Sequence, residues 1–512
     1  MKNERIVILD FGSQYTQLIA RRIRENNVYC EIHPYAAPYE EISGDDVRGY
    51  ILSGGPASAY DDEAPTCDAQ VMDGTVPVLG ICYGMQVGCE QLGGNVSASE
   101  AREYGGHVCN ITQHEDLFRS LPDEITVWMS HGDRVGSIPD SFHVLARTEN
   151  TPYAAVRHKE KPFWGVQFHP EVTHTPEGPQ ILSNFLFEIC GCEGSWTPAS
   201  YIEKTTRQIR EEVQDAEVIC GVSGGVDSAV TAKLVHNAIG DQLTCLFVDN
   251  GLLRKNERQT VVRSFEEQMD IELEVIDASD RFLNRLDGVT DPEEKRKRIG
   301  NEFIDVFKEH ADLDSVEYLA QGTLYPDVIE SESAHGGPTD TIKSHHNVGG
   351  LPEELGLQLI EPLRFLFKDE GREIGRELGL PHEMVERQPF PGPGLAVRIP
   401  GEITKERLSV LREADHIITT ELERSGEWQD IWQYFGVLLP IRSVGVMGDE
   451  RTYEHAVAIR AVDSIDGMTA DWSRVDPDVL DTISSRIINE VEGINRVVYD
   501  ISTKPPSTIE WE

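Results

Sequence analysis

At 512 residues the chain is longer than one hydrophobic core usually serves, and its 39% apolar content suits two to four ordinary cores rather than a disordered chain. Its 46 basic residues stand against 89 acidic ones, and a net charge of -43 repels phosphate backbones and acidic membrane surfaces, which excludes general nucleic-acid binding and membrane-surface binding. No apolar run reaches the roughly 18 residues of a bilayer span.

The opening MKNERIVILDFGS has neither the long apolar segment nor the cleavage site of a signal peptide, so residues 5–10 (RIVILD) read as a buried strand. Residues 16–25 follow with helical spacing, apolar at Leu18, Ile19 and Ile23. Strands are predicted at 49–52, running into SGGP, and at 76–79, running into Gly80 and Cys82, with a helix over 85–91. Short strands follow at 125–129, 144–146, 154–156 and 163–166. The alternation predicts a doubly wound, mostly parallel sheet with its functional loops at the carboxyl ends of the strands. GCEGSWTP at 191–198 breaks the pattern and places a boundary near residue 195. A second such series begins with a helix over 201–213 and strands at 216–222, 243–248 and 273–276. RQPFPGPGLAVRIPGE at 387–402 marks a second boundary, and the remainder mixes a helix over 405–424 with strands at 456–461 and 496–499. Three domains are expected, 1–195, 196–387 and 388–512: two α/β domains and a small α+β domain. The nine cysteines are scattered without a CxxC pair, which suits free thiols in the cytoplasm better than a disulfide framework. The excess of acid with few lysines points to a proteome adapted to high salt, where screening over ~3 Å at 1 M makes the charge tolerable.

The first chemistry lies in VPVLGICYGMQVGCEQLGG, where Gly80 and Gly84 allow a tight strand-to-helix turn at Cys82. A thiol at a helix N-terminus is drawn toward thiolate, and the amides behind it face a developing oxyanion. GVQFHPE ends a strand on His169, with Glu171 two residues on to orient the ring, which is nucleophile, base and orienter in the order Cys, His, Glu. Taken singly, Cys82 is more often a small buried hydrophobe, His169 a structural histidine and SGGP a plain turn. The three corners favour chemistry together, because each follows a strand of one sheet and all converge on one edge. SGGP, GICYGMQ and GVQFHPE resemble the class I glutamine amidotransferases over roughly the first 190 residues. The resemblance implies Cys82 as nucleophile on the glutamine side-chain amide, His169 as base and acid, and Glu171 as orienter. It further implies oxyanion amides from Gly55 and Tyr83, and a glutamine site around Gln86 and the SHGD segment (Ser130, His131, Asp133).

The second lies in VICGVSGGVDSAVTAKLVHNA, a strand, a Gly-rich corner at Ser223, Gly224 and Gly225, and a helix. Bare amides at a helix N-terminus cradle an anion, and the absence of G-x-x-x-x-G-K-[ST] argues against a Walker A loop. Asp227 is read as either a magnesium ligand or a helix cap. SGGVDS, with FVDNGLLR after it, resembles the pyrophosphate loop of the N-type ATP pyrophosphatases, which implies an ATP site at Ser223, Gly224, Gly225, Val226, Asp227, Ser228 and Ala229, with Mg2+ accompanying the ATP. Ammonia from the first site is a fitting nucleophile for an acceptor adenylated at the second.

The acceptor is argued from EEKRKRIG (293–300), KSHHNVGG (343–350), LFKDEGREIG (366–375) and DISTKPPSTIEWE (500–512). The bland readings are a solvated charged face for the first and a disordered tail for the last, although Ile509 and Trp511 favour docking of the tail. With the two motifs above, these segments resemble the glutamine-hydrolysing GMP synthetase family over essentially the whole chain. The resemblance implies glutamine, ATP and XMP as substrates, an adenylyl-XMP intermediate, and a homodimer whose third domain lends its C-terminal segment to the XMP site. It places Lys504 and Glu510 at XMP, with Arg296 and Asp449 beside them and Lys368 at phosphate. Gln388 departs from the histidine usual in that family. The anionic substrates require Arg296, Lys343, Lys368 and Lys504 to gather locally against the field of the protein. Three rivals are a carboxylate acceptor, which leaves KPPSTIEWE idle; tRNA sulfuration, which lacks CxxC and a basic surface; and a catalytically dead glutamine sensor, against which the intact Cys82, His169 and Glu171 speak.

Overall fold

The computed structural model describes residues 4–61, 64–311, 315–328, 356–447, 450–464 and 469–512. The chain divides into two compact units, Met1–Ser200 and Tyr201–Glu512, so the first change of pattern, expected near 195, falls within a few residues of the division.

In the first unit, strands β1 (Arg5–Asp10), β2 (Cys30–Pro34), β3 (Val47–Leu52), β4 (Val78–Ile81), β5 (Asn95–Ile111), β6 (Glu124–Ser137), β7 (Phe142–Arg147), β8 (Ala155–His158) and β9 (Phe163–Val166) form one sheet. Its order is β2-β1-β3-β4-β9-β8-β7-β5-β6. From β2 to β9 the pairings are parallel; from β9 to β6 they are antiparallel. Of the parallel strands, β1, β3, β4 and β9 are the ones read from their apolar runs, which are covered on both faces, whereas β2 (CEIHP), half-buried at the edge, is not. β4 (VLGI) and β9 (FWGV) are buried at every position. The helix Thr16–Arg24 lays Ile19, Ala20 and Ile23 on the sheet with Arg21 exposed on the far side, while Arg24 is buried and donates to the Cys30 carbonyl at 2.6 Å. The sheet order puts β3, β4 and β9 side by side, with Leu52 opposite Gly80 and Ile81 opposite Val166. SGGP, Cys82 and His169 therefore leave the same edge.

In the second unit, β10 (Glu217–Gly221), β11 (Leu243–Asp249), β12 (Leu273–Asp277), β13 (Val316–Ala320) and β14 (Gln358–Ile360) are all parallel, in the order β12-β11-β10-β13-β14. The chain runs outward from β10 on one side and returns to build the other, so the strand order reverses between β10 and β13. A crevice for ligands opens at such a reversal, and the Ser223–Gly225 corner follows β10. A third sheet pairs β15 (Gln433–Met447) with β16 (Glu450–Asp463), and β16 also pairs with β17 (Asp471–Trp472) and β18 (Ile494–Asp500). Helices Lys405–Ser425 and Pro477–Glu490 bury Leu411, Ile418, Ile483 and Ile487 in a core that also takes in Ile219 and Leu246 of the parallel sheet. Residues 387–402 lie within this second unit. Among the described residues no helix is long and apolar enough to cross a membrane.

Candidate functional site

Cys82 sits between β4 and the helix Tyr83–Gln91 with φ 52° and ψ -106°. A non-glycine residue there holds roughly 1–3 kcal/mol of strain, which persists only where the surroundings enforce it. Two glycines enforce it here. A Cβ on Gly84 would lie 2.3 Å from the Leu52 carbonyl oxygen, and one on Gly80 would lie 2.6 Å from the Gly84 carbonyl. The turn is thus packed backbone to backbone against β3, and Cys82 N–H is tied to the Val166 carbonyl of β9 at 2.8 Å. The residue is 6% exposed, yet its sulfur is not enclosed by apolar side chains: Gln167 Nε2 lies 3.8 Å away and the Ser130 carbonyl 4.0 Å.

His169 leaves β9 through Gln167 and Phe168, and the Cys82 thiol is among the groups that raise its proton affinity. Its Nδ1 lies 2.7 Å from Glu171 Oε1, and both residues are buried. The edge of Tyr15 closes one side of the ring, and Thr175 Oγ1 donates to the His169 carbonyl at 2.7 Å. Burial works against a charged imidazole, but Glu171 and Cys82 outweigh it and hold His169 well above its ordinary value. Gly55 packs over the start of the same helix: a Cβ on it would lie 2.7 Å from the Phe11 carbonyl and 3.3 Å from the Tyr83 ring. Tyr83 is the first residue of that helix, whose leading amides have no partner within it. Gln86, one turn on, donates to the Asp133 carbonyl at 3.0 Å. Asp133 itself accepts from Ser58 at 2.6 Å and Tyr60 at 3.2 Å. The residues expected around glutamine, Gln86, Ser130, His131 and Asp133, are thereby brought together beside Cys82. Gln167 and Tyr15 escaped the sequence reading. Gln167 stood inside a quoted motif, but a glutamine in a strand carries no signal of its own.

In the second unit, Gly224 has φ 77°, and a Cβ there would also lie 2.6 Å from Val261. Ser228 Oγ closes the corner from within, 3.2 Å from Ser223 Oγ and 3.0 Å from the Gly225 carbonyl. The helix Val226–Ile239 is capped at Gly225, not by Asp227. Asp227 Oδ1 is buried without a hydrogen-bond partner among the described residues. Burial pushes this carboxyl above its ordinary value, Asp327 adds to the push, and Lys368 and Arg372 oppose it. An orphaned carboxylate oxygen at a helix N-terminus, with a second carboxylate nearby, fits a divalent cation and disfavours the capping alternative; among the described residues no cluster of three or more ligand side chains forms. Lys368 opens the helix Lys368–Glu377 and also lies over the Trp432 ring. Arg387, unread in the sequence, donates to the Gly224 carbonyl at 2.8 Å and pairs with the buried Glu257. Its neighbour Gln388 accepts the Tyr434 amide of β15 at 2.8 Å.

The C-terminal segment is docked. Arg460, fully buried, donates to the carbonyls of Ser502 at 2.6 Å and Thr508 at 3.1 Å. Glu510 accepts from Arg398 at 2.9 Å and Gln433 at 3.0 Å. Arg296 donates to the Glu512 carbonyl, and buried Lys295 pairs with the Glu512 carboxylate. Lys504 exchanges backbone hydrogen bonds with Ala470. Lys295 has no role in the sequence expectation, yet with Ile299, Glu302 and Val306 it forms the buried stripe of the helix Pro292–His310. Asp449 and the KSHHNVGG segment with Lys343 lie outside the described residues.

Comparison with known proteins adds three family matches: glutamine amidotransferase class I over residues 7–189, NAD synthase over 200–302 and GMP synthase C-terminal domain over 420–511. A protein named GMP synthase [glutamine-hydrolyzing] from Caldanaerobacter subterraneus subsp. tengcongensis is 57% identical over 513 residues, covering 100% of both chains. A Bacillus subtilis protein of the same name is 57% identical over 511 residues, covering 100% of this chain and 99% of its own.

Proposed function

Because the chain belongs to the family of glutamine-hydrolysing GMP synthases, we propose that it converts XMP to GMP with ammonia taken from glutamine and with ATP as the activating agent. The observation that carries the reading is the convergence of Cys82, His169 and Glu171 at the adjoining ends of β4 and β9.

Cys82 attacks the glutamine amide carbon as a thiolate, its proton passing to His169. The Gly55 and Tyr83 amides receive the oxyanion, and Gln86, Ser130, His131 and Asp133 surround the substrate. His169 returns the proton to the departing ammonia. Water then releases glutamate from the thioester, with His169 again as base and Glu171 holding the ring in the required tautomer. At the second site an oxygen of XMP attacks the α-phosphorus of ATP, and Ser223, Gly224, Gly225, Val226, Asp227, Ser228 and Ala229 grip the departing pyrophosphate. Ammonia displaces AMP and leaves GMP. Asp227 would hold Mg2+, which supplies positive charge to the phosphates when bound. Lys368 serves as a phosphate contact, and Arg296, Asp449, Lys504 and Glu510 as XMP contacts. Glu510 is paired with Arg398 in this structure, so recognition of XMP has that arginine as a neighbour.

Three functional parts, 1–195, 196–387 and 388–512, follow from this division of labour, with the last as dimerisation and XMP-site domain. A homodimer agrees with the exposed Ile441, Val444, Val446 and Tyr453 on β15 and β16. Nine free thiols agree with the cytoplasm. Incubation with ATP, XMP and glutamine should give AMP, pyrophosphate, GMP and glutamate in equal amounts. Turnover with a carboxylate substrate in place of XMP, and none with XMP, would overturn the reading.

A further inference from the structure

A buried acid that the mechanism above does not use lies behind the amide-hydrolysing site. Glu103, on β5, is fully buried and is the register partner of His131 on β6. Thr148 Oγ1 donates to its Oε1 at 2.9 Å, and Thr151 Oγ1 to its Oε2 at 2.6 Å. The same Thr148 hydroxyl accepts the Thr151 amide at 3.0 Å, so a turn is built around the carboxylate. His107 Nδ1 lies 3.7 Å from Oε1 and His131 Nε2 3.5 Å from Oε2. Burial opposes the charge, but the hydroxyls of Thr151 and Thr148 and the two histidines outweigh it and hold the Glu103 carboxyl below its ordinary value. A carboxylate so deeply buried is tolerated only where it is gripped.

The grip continues toward the nucleophile. His131 Nδ1 lies 2.9 Å from the Asp133 carbonyl, which can only accept, so that nitrogen carries the hydrogen. The same carbonyl accepts from Gln86. Nε2 has no hydrogen-bond partner among the described residues. Bare, it turns a lone pair toward a carboxylate; protonated, it becomes a charge-assisted donor to Glu103. Burial drives that proton off and holds His131 below its ordinary value, a charged His169 adding to the push, while Glu103 and the Asp133 carbonyl draw the proton on. Ser130, the residue before His131, places its carbonyl beside Cys82.

We propose that Glu103 and His131 hold one proton between them, and that this shared proton makes Glu103 a positioning residue, fixing the strand segment from Ser130 to Asp133 against Cys82 and Gln86 for glutamine to bind. The proposal rests on the reading of Cys82 as nucleophile in a glutamine site.

The test is the pH dependence of KM for glutamine, from about pH 5.5 to about 8, in the native chain and in Glu103→Gln. In the native chain, loss of the shared proton should raise KM by about tenfold, the size of one charge-assisted hydrogen bond. In Glu103→Gln the amide N–H can donate to the bare Nε2, so that rise should disappear. A merely structural Glu103 would lower the amount of active enzyme and leave the two profiles parallel, which overturns the proposal. Should Glu103→Gln fail to fold, Thr151→Val, which weakens the carboxylate's support, should move the rise in KM to higher pH; an unchanged profile overturns the proposal. GMP formation from external ammonia should show neither effect. A native chain that released no glutamate would instead defeat the underlying reading of Cys82.

Discussion

An imidazole fixed between a thiol and a carboxylate is a balance of charges, and the balance at His169 can be weighed. Its proton affinity is raised on folding by Glu171 and Cys82 against the opposition of burial. A group raised in this way contributes stability that is fully present below its unfolded value, near ~6.5, and is lost as pH rises through its folded value. Glu171→Gln removes the main support. The difference in melting temperature between the native chain and this variant should therefore be largest between about pH 5 and about 6.5 and should shrink at higher pH. Glutamine hydrolysis should fall by about 10⁴-fold, because an amide N–H turned toward Nδ1 donates to it and holds the ring in the wrong tautomer. A difference that grows with pH would show that the imidazole is neutral in the resting enzyme. At this scale much was legible. Cys82 announced itself by the glycines around it, and the 2.3 Å approach that a Cβ on Gly84 would make to Leu52 is the physical reason they are there. Glu103 and Lys295 were not legible, since a buried charge is recognised by its partners, and those partners come from other elements.

At the scale of elements, the nucleotide corner is held from outside. Arg387 donates to the Gly224 carbonyl while pairing with Glu257, which is 5% exposed and also accepts the Arg254 amide at 2.7 Å. Arg387→Met should leave the Glu257 carboxylate buried and unpaired, at a cost of roughly 3–5 kcal/mol in stability, and should raise KM for ATP in the ammonia-driven reaction. In the double variant Arg387→Met/Glu257→Gln, much of the stability should return while KM for ATP remains high, because the tie to Gly224 is still absent. Equal stability of single and double variants, by chemical denaturation, would show that the pair is not coupled. Gln388 beside it accepts from β15 through Oε1, so the departure from histidine keeps an acceptor at that point. The apolar strands were legible because parallel strands buried on both faces read as unbroken runs, as in β4 and β9. β5 and β6 were missed or cut short for the opposite reason. They belong to the antiparallel half, alternate with polar residues, and gain their length from pairing along a 17-residue partner.

For the molecule as a whole, net charge is the dominant fact. At -43 the folded chain repels itself, and screening should stabilise it. The melting temperature should rise by about 10 °C or more between about 0.1 M and about 2 M KCl, beyond what a near-neutral protein of this size shows. A flat or falling response would remove the high-salt reading. The same field explains why the buried cations Lys295, Arg398 and Arg460 are gathered where the C-terminal segment docks. The cations expected to gather were Arg296, Lys343, Lys368 and Lys504; Lys295, Arg398 and Arg460 were not among them, since the docking brings residue 512 to residue 295 across 217 positions of sequence.

The division of labour between a thiol that frees nitrogen and a backbone corner that grips pyrophosphate is tested most directly by Cys82→Ala, assayed with ATP and XMP plus either glutamine or ammonium chloride. GMP formation from glutamine should fall by about 10⁴-fold or more, while formation from ammonium should stay within about twofold of the native chain. Retained turnover with glutamine, or equal loss with both nitrogen sources, would contradict it.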